Sequence, residues 1–187
     1  MRLFVGIELP AAVRDAVGRE VQDVLRPAFP RAKCVRPDGL HVTLRFLGDQ
    51  SPEFAERLAE RLGTIAAETP PLFLELGGVG GFPTLLRPRV VWLGVASPAL
   101  APLRERVEDA CRRTGAPPEE RPFHPHLTLA RLRDDDTQRA RPALAHAAEG
   151  LSFEASTTTH SLHLMQSELT PQGARYSAFA VLPLGGR

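Results

Sequence analysis

A four-residue pattern that occurs twice, as His41-Val42-Thr43-Leu44 and as His126-Leu127-Thr128-Leu129, most constrains the fold of this chain. Apolar residues alternate with other residues through both segments, as is typical of β-strands with one face toward a hydrophobic core. Each segment follows an earlier strand-like segment at nearly the same distance, 38 positions from Leu3 and 36 positions from Val90. The sequence therefore predicts an internal duplication in which each half contributes one copy of the pattern.

The predicted elements follow a similar order in two halves, which we place at roughly residues 1–88 and 89–187. This order predicts an α+β fold in a single domain, with two similar lobes of antiparallel sheet, helices packed outside, and a groove between the lobes. The carboxyl-terminal strands are free to cross over, and a glycine-rich stretch at 77–81 is predicted to be a flexible connection. Strands are predicted at 3–9, 41–47, 72–76, 89–95, 126–132, 151–156, 161–167 and 176–182, and helices at 11–25, 52–67, 99–113 and 137–149.

Pseudo-two-fold symmetry would bring His41 and His126 together across this groove, although 85 positions separate them. Because residues i and i+2 share one face of a strand, each imidazole projects beside a hydroxyl, that of Thr43 or Thr128. Histidine has a reference pKa of about 6.5, so it can donate or accept a proton near neutral pH. The two histidines are therefore candidates for a paired general acid and general base.

Composition limits the possible partners and the compartment. The formal net charge of the chain is only +1, so nucleic-acid binding would need a local basic patch and not a global field. Cys34 and Cys111 lack the spacing of a metal or redox motif and fit a reducing compartment. The amino terminus has too short an apolar run for a signal peptide, and no run is long enough for a membrane span. We expect a cytoplasmic protein.

A metal site is the main alternative for the histidines, because His124 and His126 also share a strand face. A zinc site needs three or four organised ligands, and no cysteine or acidic pair recurs at a matching spacing. We therefore expect neither a metal nor another cofactor. The other histidines, His146, His160 and His163, lie outside the motifs and are interpreted as surface or sheet residues.

Both motifs and their surroundings resemble the 2H phosphoesterase superfamily, whose members carry paired H-x-T-x motifs. Within it, the chain is most similar to the bacterial and archaeal RNA 2',3'-cyclic phosphodiesterases, historically called 2'-5' RNA ligases. The similar segments are spread over essentially the whole chain. Besides the motifs, they are residues 1–5, 44–48, 121–131, 167–169 and 173–176.

The resemblance implies metal-independent hydrolysis of 2',3'-cyclic phosphate, on RNA ends or nucleotides, to a 2'-phosphomonoester by a monomeric enzyme. It implies that His41 donates a proton to the leaving oxygen and that His126 accepts one from water. Thr43 and Thr128 would donate hydrogen bonds to the non-bridging phosphate oxygens, whose charge increases during attack. Arg131 resembles the phosphate-contacting arginine of the family.

Strand parity adds a condition to the role of Arg131. It lies five positions after His126, so in an unbroken strand it would face away from the imidazole, and a bulge or strand end near Ala130 is required. Arg45, four positions after His41, has the correct parity and is a second phosphate-binding candidate or a solvated strand residue.

Three aromatic residues could stack on a base or pack in the core: Phe46, Phe123 and Tyr176.

Two other functions remain open from the sequence. The same acid and base could reversibly join 2'-5' RNA ends, since a cyclic phosphate and a 5' hydroxyl can react in the reverse direction. The chain could also be a non-catalytic module that binds RNA ends. Because both histidines and both threonines are present, the sequence favours an enzyme over a module that only binds.

Overall fold

The computed structural model describes residues 1–84, 88–133, 153–170 and 173–185. Within these ranges, one nine-stranded antiparallel sheet runs in the order β7-β4-β5-β6-β3-β1-β8-β9, and the short β2 pairs with β6. Helices pack against this sheet, so the predicted α+β class is confirmed. The strands are β1 (Arg2–Glu8), β2 (Lys33–Cys34), β3 (His41–Asp49), β4 (Leu72–Phe82), β5 (Val90–Ala96), β6 (His126–Arg131), β7 (Ala155–Thr159), β8 (Ser161–Thr170) and β9 (Gly173–Pro183).

Local sequence signals mark the start of one helix and the end of another. The hydroxyl of Ser51 accepts a hydrogen bond from the Phe54 amide at 3.2 Å, and Pro52 occupies the first helical position of α3. Gly115, with a φ of 111°, ends α4 in the left-handed region. The helices are α1 (Ala11–Glu20), which continues through a π-helical turn (Val21–Leu25) into α2 (Arg26–Ala28), then α3 (Pro52–Ala67) and α4 (Leu100–Thr114).

A single hydrophobic core joins the helices to one face of the sheet. From the motif strands it takes Val42 and Leu127, which are fully buried, and from α3 it takes Leu58 and Leu62, four residues apart. As the sequence predicts, the motif strands therefore bury their aliphatic residues and turn the intervening polar residues to the opposite face of the sheet.

Strand pairing divides the sheet differently from the halves of the sequence. β4 pairs with β5 and β7, although it lies within residues 1–88, and β8 and β9 return to pair beside β1. The sheet therefore has β1, β3, β8 and β9 on one side of the β3–β6 junction and β4 to β7 on the other, and the short β2 pairs with the end of β6. Because β4 and β5 are consecutive strands, they form a local hairpin in preference to a distant pairing. The internal duplication itself stays a prediction.

The prediction of a flexible connection at 77–81 is wrong, because these residues continue β4 and pair with β5. A Cβ on Gly80 would overlap the indole of Trp92, its register partner, and a Cβ on Gly94 would lie 2.6 Å from the carbonyl oxygen of Gly77. The glycines permit close approach of side chain and backbone. Gly78, with a φ of 71°, lies at the register shift between these strands.

The other predicted elements agree with the structure within a few residues, apart from the carboxyl-terminal part. The predicted helix at 137–149 lies outside the described residues, and the strand predicted at 151–156 is found at Ala155–Thr159. Cys34 and Cys111 are free thiols. In the described ranges, no helix has both the length and the apolar character needed to cross a membrane.

Candidate active site

The two motif strands lie side by side and are joined by the pair Val42 and Leu127. Because β3 and β6 are antiparallel, this register places His41 toward Thr128 and Thr43 toward His126. All four polar side chains are half-buried and line one cavity of about 600 Å³, called the cleft below. The structure therefore brings together the four motif residues that the sequence singled out.

A backbone carbonyl fixes the orientation of each imidazole. Nδ1 of His41 donates to the carbonyl oxygen of Gly39 at 2.8 Å, and Nδ1 of His126 donates to that of His124 at 2.6 Å. A carbonyl oxygen can only accept, so Nδ1 carries the proton and Nε2 is the unprotonated nitrogen of the neutral ring. Both histidines therefore keep Nε2 available for proton exchange in the cleft.

Aromatic side chains hold the two imidazoles in matching ways. His41 stacks on Phe4 with ring centroids 4.6 Å apart, and Tyr176 meets it edge-on at 4.9 Å. His126 meets Phe82 edge-on at 5.1 Å. Neither Phe4 nor Phe82 is predicted from the sequence as a site residue. Phe4 lies on β1, beside the strand of His41, and Phe82 lies on β4, in the same group of strands as His126, so both contacts depend on strand pairing, for which the sequence carries no signal.

Burial lowers the pKa of His41 to about 4, although its hydrogen bond to Gly39 opposes this shift, and the positive charges of His126 and Arg131 lower the pKa further. Burial also lowers the pKa of His126, although its hydrogen bond to the carbonyl of His124 opposes this shift, and the positive charges of the His124 ring and Arg131 lower the pKa further. Both imidazoles are therefore neutral in the unliganded cleft at neutral pH. An anion bound between them would raise both pKa values, because it stabilises the protonated rings.

Arg131 reaches the cleft through the bulge that the parity argument required. The register between β5 and β6 shifts by one residue after Thr128, so that Leu129 and Ala130 are both buried. Arg131 then returns to the face of His126 and lines the cleft. No ion pair with another described residue neutralises its guanidinium.

Arg45 also borders the cleft, but acidic side chains hold its guanidinium. A matching register shift in β3 turns it into the interior, where it is only 6% exposed. Its Nε lies 2.7 Å from Oε2 of Glu108, and its Nη1 lies 3.4 Å from Oε2 of Glu119. The guanidinium therefore joins β3 to α4 and to the connection that follows it. The alternative of a solvated strand residue is wrong, whereas the role of Arg45 as a phosphate ligand stays a prediction.

The three aromatic candidates have different environments. Phe46 is 49% exposed at one end of the cleft, whereas Phe123 packs partly against the core. Tyr176 borders the opposite end beside His41. Phe46 and Tyr176 are therefore the aromatic side chains best placed to contact a ligand.

The remaining described histidines are not grouped with other residues that could bind a metal. In the described part of the chain, no three His, Cys, Asp or Glu side chains are grouped as metal ligands would be. His124 lies against Phe82, with ring centroids 6.1 Å apart. His163 is buried beside the hydroxyl of Ser161 and His160 is exposed, whereas His146 lies outside the described residues.

Curated proteins similar to this chain share one name. The RNA 2',3'-cyclic phosphodiesterase of Aeropyrum pernix is 40% identical over 148 residues, which are 77% of this chain and 81% of that protein. The protein of the same name from Archaeoglobus fulgidus is 32% identical over 184 residues, which are 97% of this chain and 99% of that protein.

Solved structures and a family model agree with this similarity. TT0787 of Thermus thermophilus has a TM-score of 0.82 at 31% identity and covers 100% of this chain and 99% of its own. Escherichia coli LigT, solved in complex with 3'-AMP, has a TM-score of 0.75 at 31% identity, with coverage of 98% and 97%. The model of the 2'-5' RNA ligase superfamily matches residues 10–171. The chain therefore belongs to the 2'-5' RNA ligase superfamily, within the 2H phosphoesterases.

Proposed function

We propose that this protein hydrolyses the 2',3'-cyclic phosphate of RNA ends or nucleotides to a 2'-phosphomonoester, by two-histidine acid-base catalysis without a metal. The observation that carries the proposal is the pair of imidazoles in one cleft, each with Nδ1 held by a carbonyl and Nε2 available. The name shared by the curated relatives supports the same substrate.

The proposed reaction needs two proton transfers on opposite sides of phosphorus. Nε2 of His126 takes a proton from the attacking water as the new phosphorus–oxygen bond forms. Nε2 of His41, protonated before the reaction, gives its proton to the ribose 3' oxygen as that bond to phosphorus breaks. Each transfer typically contributes about 10²- to 10⁴-fold to the rate.

The electrostatics of the cleft support substrate-dependent protonation of the donor. The pKa of His41 is lowered to about 4 in the empty cleft, mainly by burial. A cyclic phosphodiester is an anion, and its arrival raises this pKa. Binding of the substrate therefore creates the protonated donor that the leaving oxygen requires.

The threonines and Arg131 are proposed to bind the phosphate. The hydroxyls of Thr43 and Thr128 lie on the same face as the imidazoles, where they can donate to the non-bridging oxygens. Arg131 adds a planar cation that can donate two parallel hydrogen bonds to one phosphate. Charge on the non-bridging oxygens increases in the transition state, so these donors stabilise it more than the ground state.

The size of the cleft is consistent with a nucleotide, since a cavity of about 600 Å³ lies within the usual range for small-molecule sites. Among the similar structures, LigT was solved with 3'-AMP, a nucleotide. Phe46 offers an exposed aromatic face near the phosphate site, on which a base can stack.

The decisive experiment is turnover of a nucleoside 2',3'-cyclic phosphate in the presence of a chelator, with the product identified by phosphorus NMR. The expected product is the 2'-phosphate, formed at the same rate with and without chelator. Formation of the 3'-phosphate, or loss of activity that added divalent metal restores, would overturn the proposal. Adding an acceptor with a 5' hydroxyl tests end joining, and accumulation of joined product alone would also contradict hydrolysis.

A further inference from the structure

A second cavity, of about 590 Å³, opens from one end of the cleft. It shares four lining residues with the cleft, namely Val35, Gly39, Arg131 and Tyr176. The two cavities are therefore continuous, and a ligand bound at Arg131 can extend from one into the other.

Positively charged side chains dominate this second cavity. We call it the basic groove, defined by Lys33, Arg36, Arg131 and Arg175, all of them exposed. The only acidic residue in its described lining is Asp38, which lies 3.2 Å from Nε of Arg36. Within the described ranges, the other three cations have no acidic partner. The groove thus concentrates positive charge on a chain whose formal net charge is only +1.

The arginines near the opposite end of the cleft are paired with glutamates. Oε2 of Glu108 lies 2.7 Å from Arg45 and 3.8 Å from Arg104, and Oε2 of Glu119 lies 2.7 Å from Arg121. This end also presents aromatic residues, including Phe46. The electrostatic attraction of the cleft for an extended anion is therefore directed toward the basic groove.

Backbone pairing fixes the groove next to the proposed phosphate site. Lys33 is the register partner of Arg131 across the β2–β6 pair, and the amide of Val35 donates to the carbonyl oxygen of Leu129 at 2.8 Å. Tyr176 meets His41 edge-on and borders both cavities. The positively charged side chains of the groove therefore extend from Arg131, beside the site of reaction, away from the two histidines.

We propose that the basic groove binds the phosphodiester backbone of the RNA on the 5' side of the terminal cyclic phosphate. A cyclic phosphate occupies both the 2' and the 3' oxygen of the last ribose, so the rest of an RNA substrate can leave the cleft only through the 5' oxygen. The backbone of that remaining chain carries one negative charge per nucleotide. Exposed cations bind such a chain without reading its sequence, and Tyr176 can stack on one of its bases.

This inference rests on the proposed function and makes the preferred substrate an oligonucleotide. Each phosphate neutralised on a single strand contributes about 0.7 to the slope of log affinity against log salt. Contacts from Lys33 and Arg175 therefore predict a steeper salt dependence for an oligonucleotide than for a nucleoside cyclic phosphate. They also predict a lower KM for the oligonucleotide at low salt.

The test compares the wild type with Lys33→Gln and Arg175→Gln, whose side chains lie outside the reacting centre. Each substitution should raise the KM of a cyclic-phosphate-ended oligonucleotide roughly fivefold to tenfold at low salt and lower the salt slope by about 0.7. The kcat/KM of the nucleoside cyclic phosphate should not change. Arg61→Gln, which removes an exposed charge from α3, is the matched control and should change neither substrate.

Binding is measured separately from turnover, by fluorescence anisotropy of a 5'-labelled oligonucleotide that ends in a 2'-phosphate. If the wild type binds this oligonucleotide no more tightly than nucleoside 2'-phosphate, or if the two groove variants bind it as tightly as the wild type, the inference is wrong. Equal losses on both substrates would also overturn it. Absence of nucleoside turnover in the wild type would instead contradict the proposed function, because the anisotropy readout does not depend on catalysis.

Discussion

Phe46 and Arg131 occupy equivalent places in the two motif strands, each three residues beyond the motif threonine and just past a one-residue register shift. The first six residues of both strands share one burial pattern, with the fourth and fifth residues buried together and the sixth turned outward. The same backbone irregularity thus presents an aromatic ring at one end of the cleft and a cation at the other. Because the strands are antiparallel, the two ends of a nearly symmetric site differ, with the aromatic ring at one end and the cation at the other.

Replacing His41 or His126 by Ala should lower kcat/KM at least about 10³-fold while changing the melting temperature little. The reason is that both side chains line the cleft, opposite the aliphatic core. Steady-state kinetics and thermal melting of each variant check this, with His160→Ala at an exposed position as the control. Melting many degrees below the parent would identify the histidine as a structural residue.

Replacing Thr43 or Thr128 by Val keeps the shape of the side chain and removes a hydroxyl donor to phosphate. Activity should fall by about 10- to 10³-fold, less than for either histidine. The control is Thr158→Val on β7, which exchanges the same groups at an exposed strand position. Unchanged kcat/KM in both cleft variants would exclude the hydroxyls from the transition state.

The pH dependence of catalysis follows from the lowered pKa values of both histidines. In the free enzyme, kcat/KM should follow a bell whose two limbs lie below about pH 6.5, and kcat should reach its maximum at higher pH because the bound anion raises both pKa values. Arg131→Met should move the kcat/KM bell toward higher pH, since a neighbouring positive charge is lost. A profile that climbs steadily through high pH, with activation by divalent metal, would point to metal-bound hydroxide.

The lowered pKa of His41 also predicts an acid-sensitive fold. As the pH falls, this histidine is protonated near pH 6.5 in the unfolded chain but only near pH 4 in the folded state. Between these two pH values the unfolded state binds one more proton than the folded state. The free energy of unfolding should therefore fall as the pH drops through this window, by up to about 3 kcal/mol from this residue. Urea denaturation at pH 7 and pH 5 should show a smaller loss for His41→Gln than for the wild type. Equal losses in the two proteins would contradict the assignment.

Replacing Arg45 by Met should destabilise the fold by roughly 2–4 kcal/mol, because Glu108 and Glu119 would each lose one of two cations that compensate their burial. Arg113→Met, which breaks the exposed pair with Asp109, should cost less than about 1 kcal/mol. Chemical denaturation measures both. If Arg45→Met kept full stability and lost only activity, Arg45 would have to contact the substrate.

The sequence predicted much of the site because strand alternation is local. The positions of His41 and Thr43 on one face follow from spacing alone, and the bulge before Arg131 follows once that residue is assigned a role. The matching bulge in β3 had no such signal, so parity did not predict that Arg45 is buried against glutamates. Its position depends on Glu108, which lies on an element far away in the sequence.

Long-range pairing explains the remaining differences in the fold. The assignment of β4 to the second group of strands depends on its partners β5 and β7, which period-2 patterns do not identify. The extension of β4 through 77–81 depends on the indole of Trp92, which needs the space that Gly80 leaves. A run of glycines occurs both in flexible loops and in strands with crowded neighbours. The sequence alone therefore does not distinguish the two, and the neighbouring strand must be known.

Val42 and Leu127 form the only registered pair between β3 and β6 in the described chain, whereas β3 has several with β1 and β6 has several with β5. The short β2 adds two pairs at the end of β6. The proposed acid, His41, lies on one side of the β3–β6 junction, and the proposed base, His126, lies on the other. Neither group of strands alone holds a functioning half of the chemistry. Activity therefore requires that β3 and β6 be paired. A chain with one group of strands folded and the other unfolded would be inactive and not merely slow.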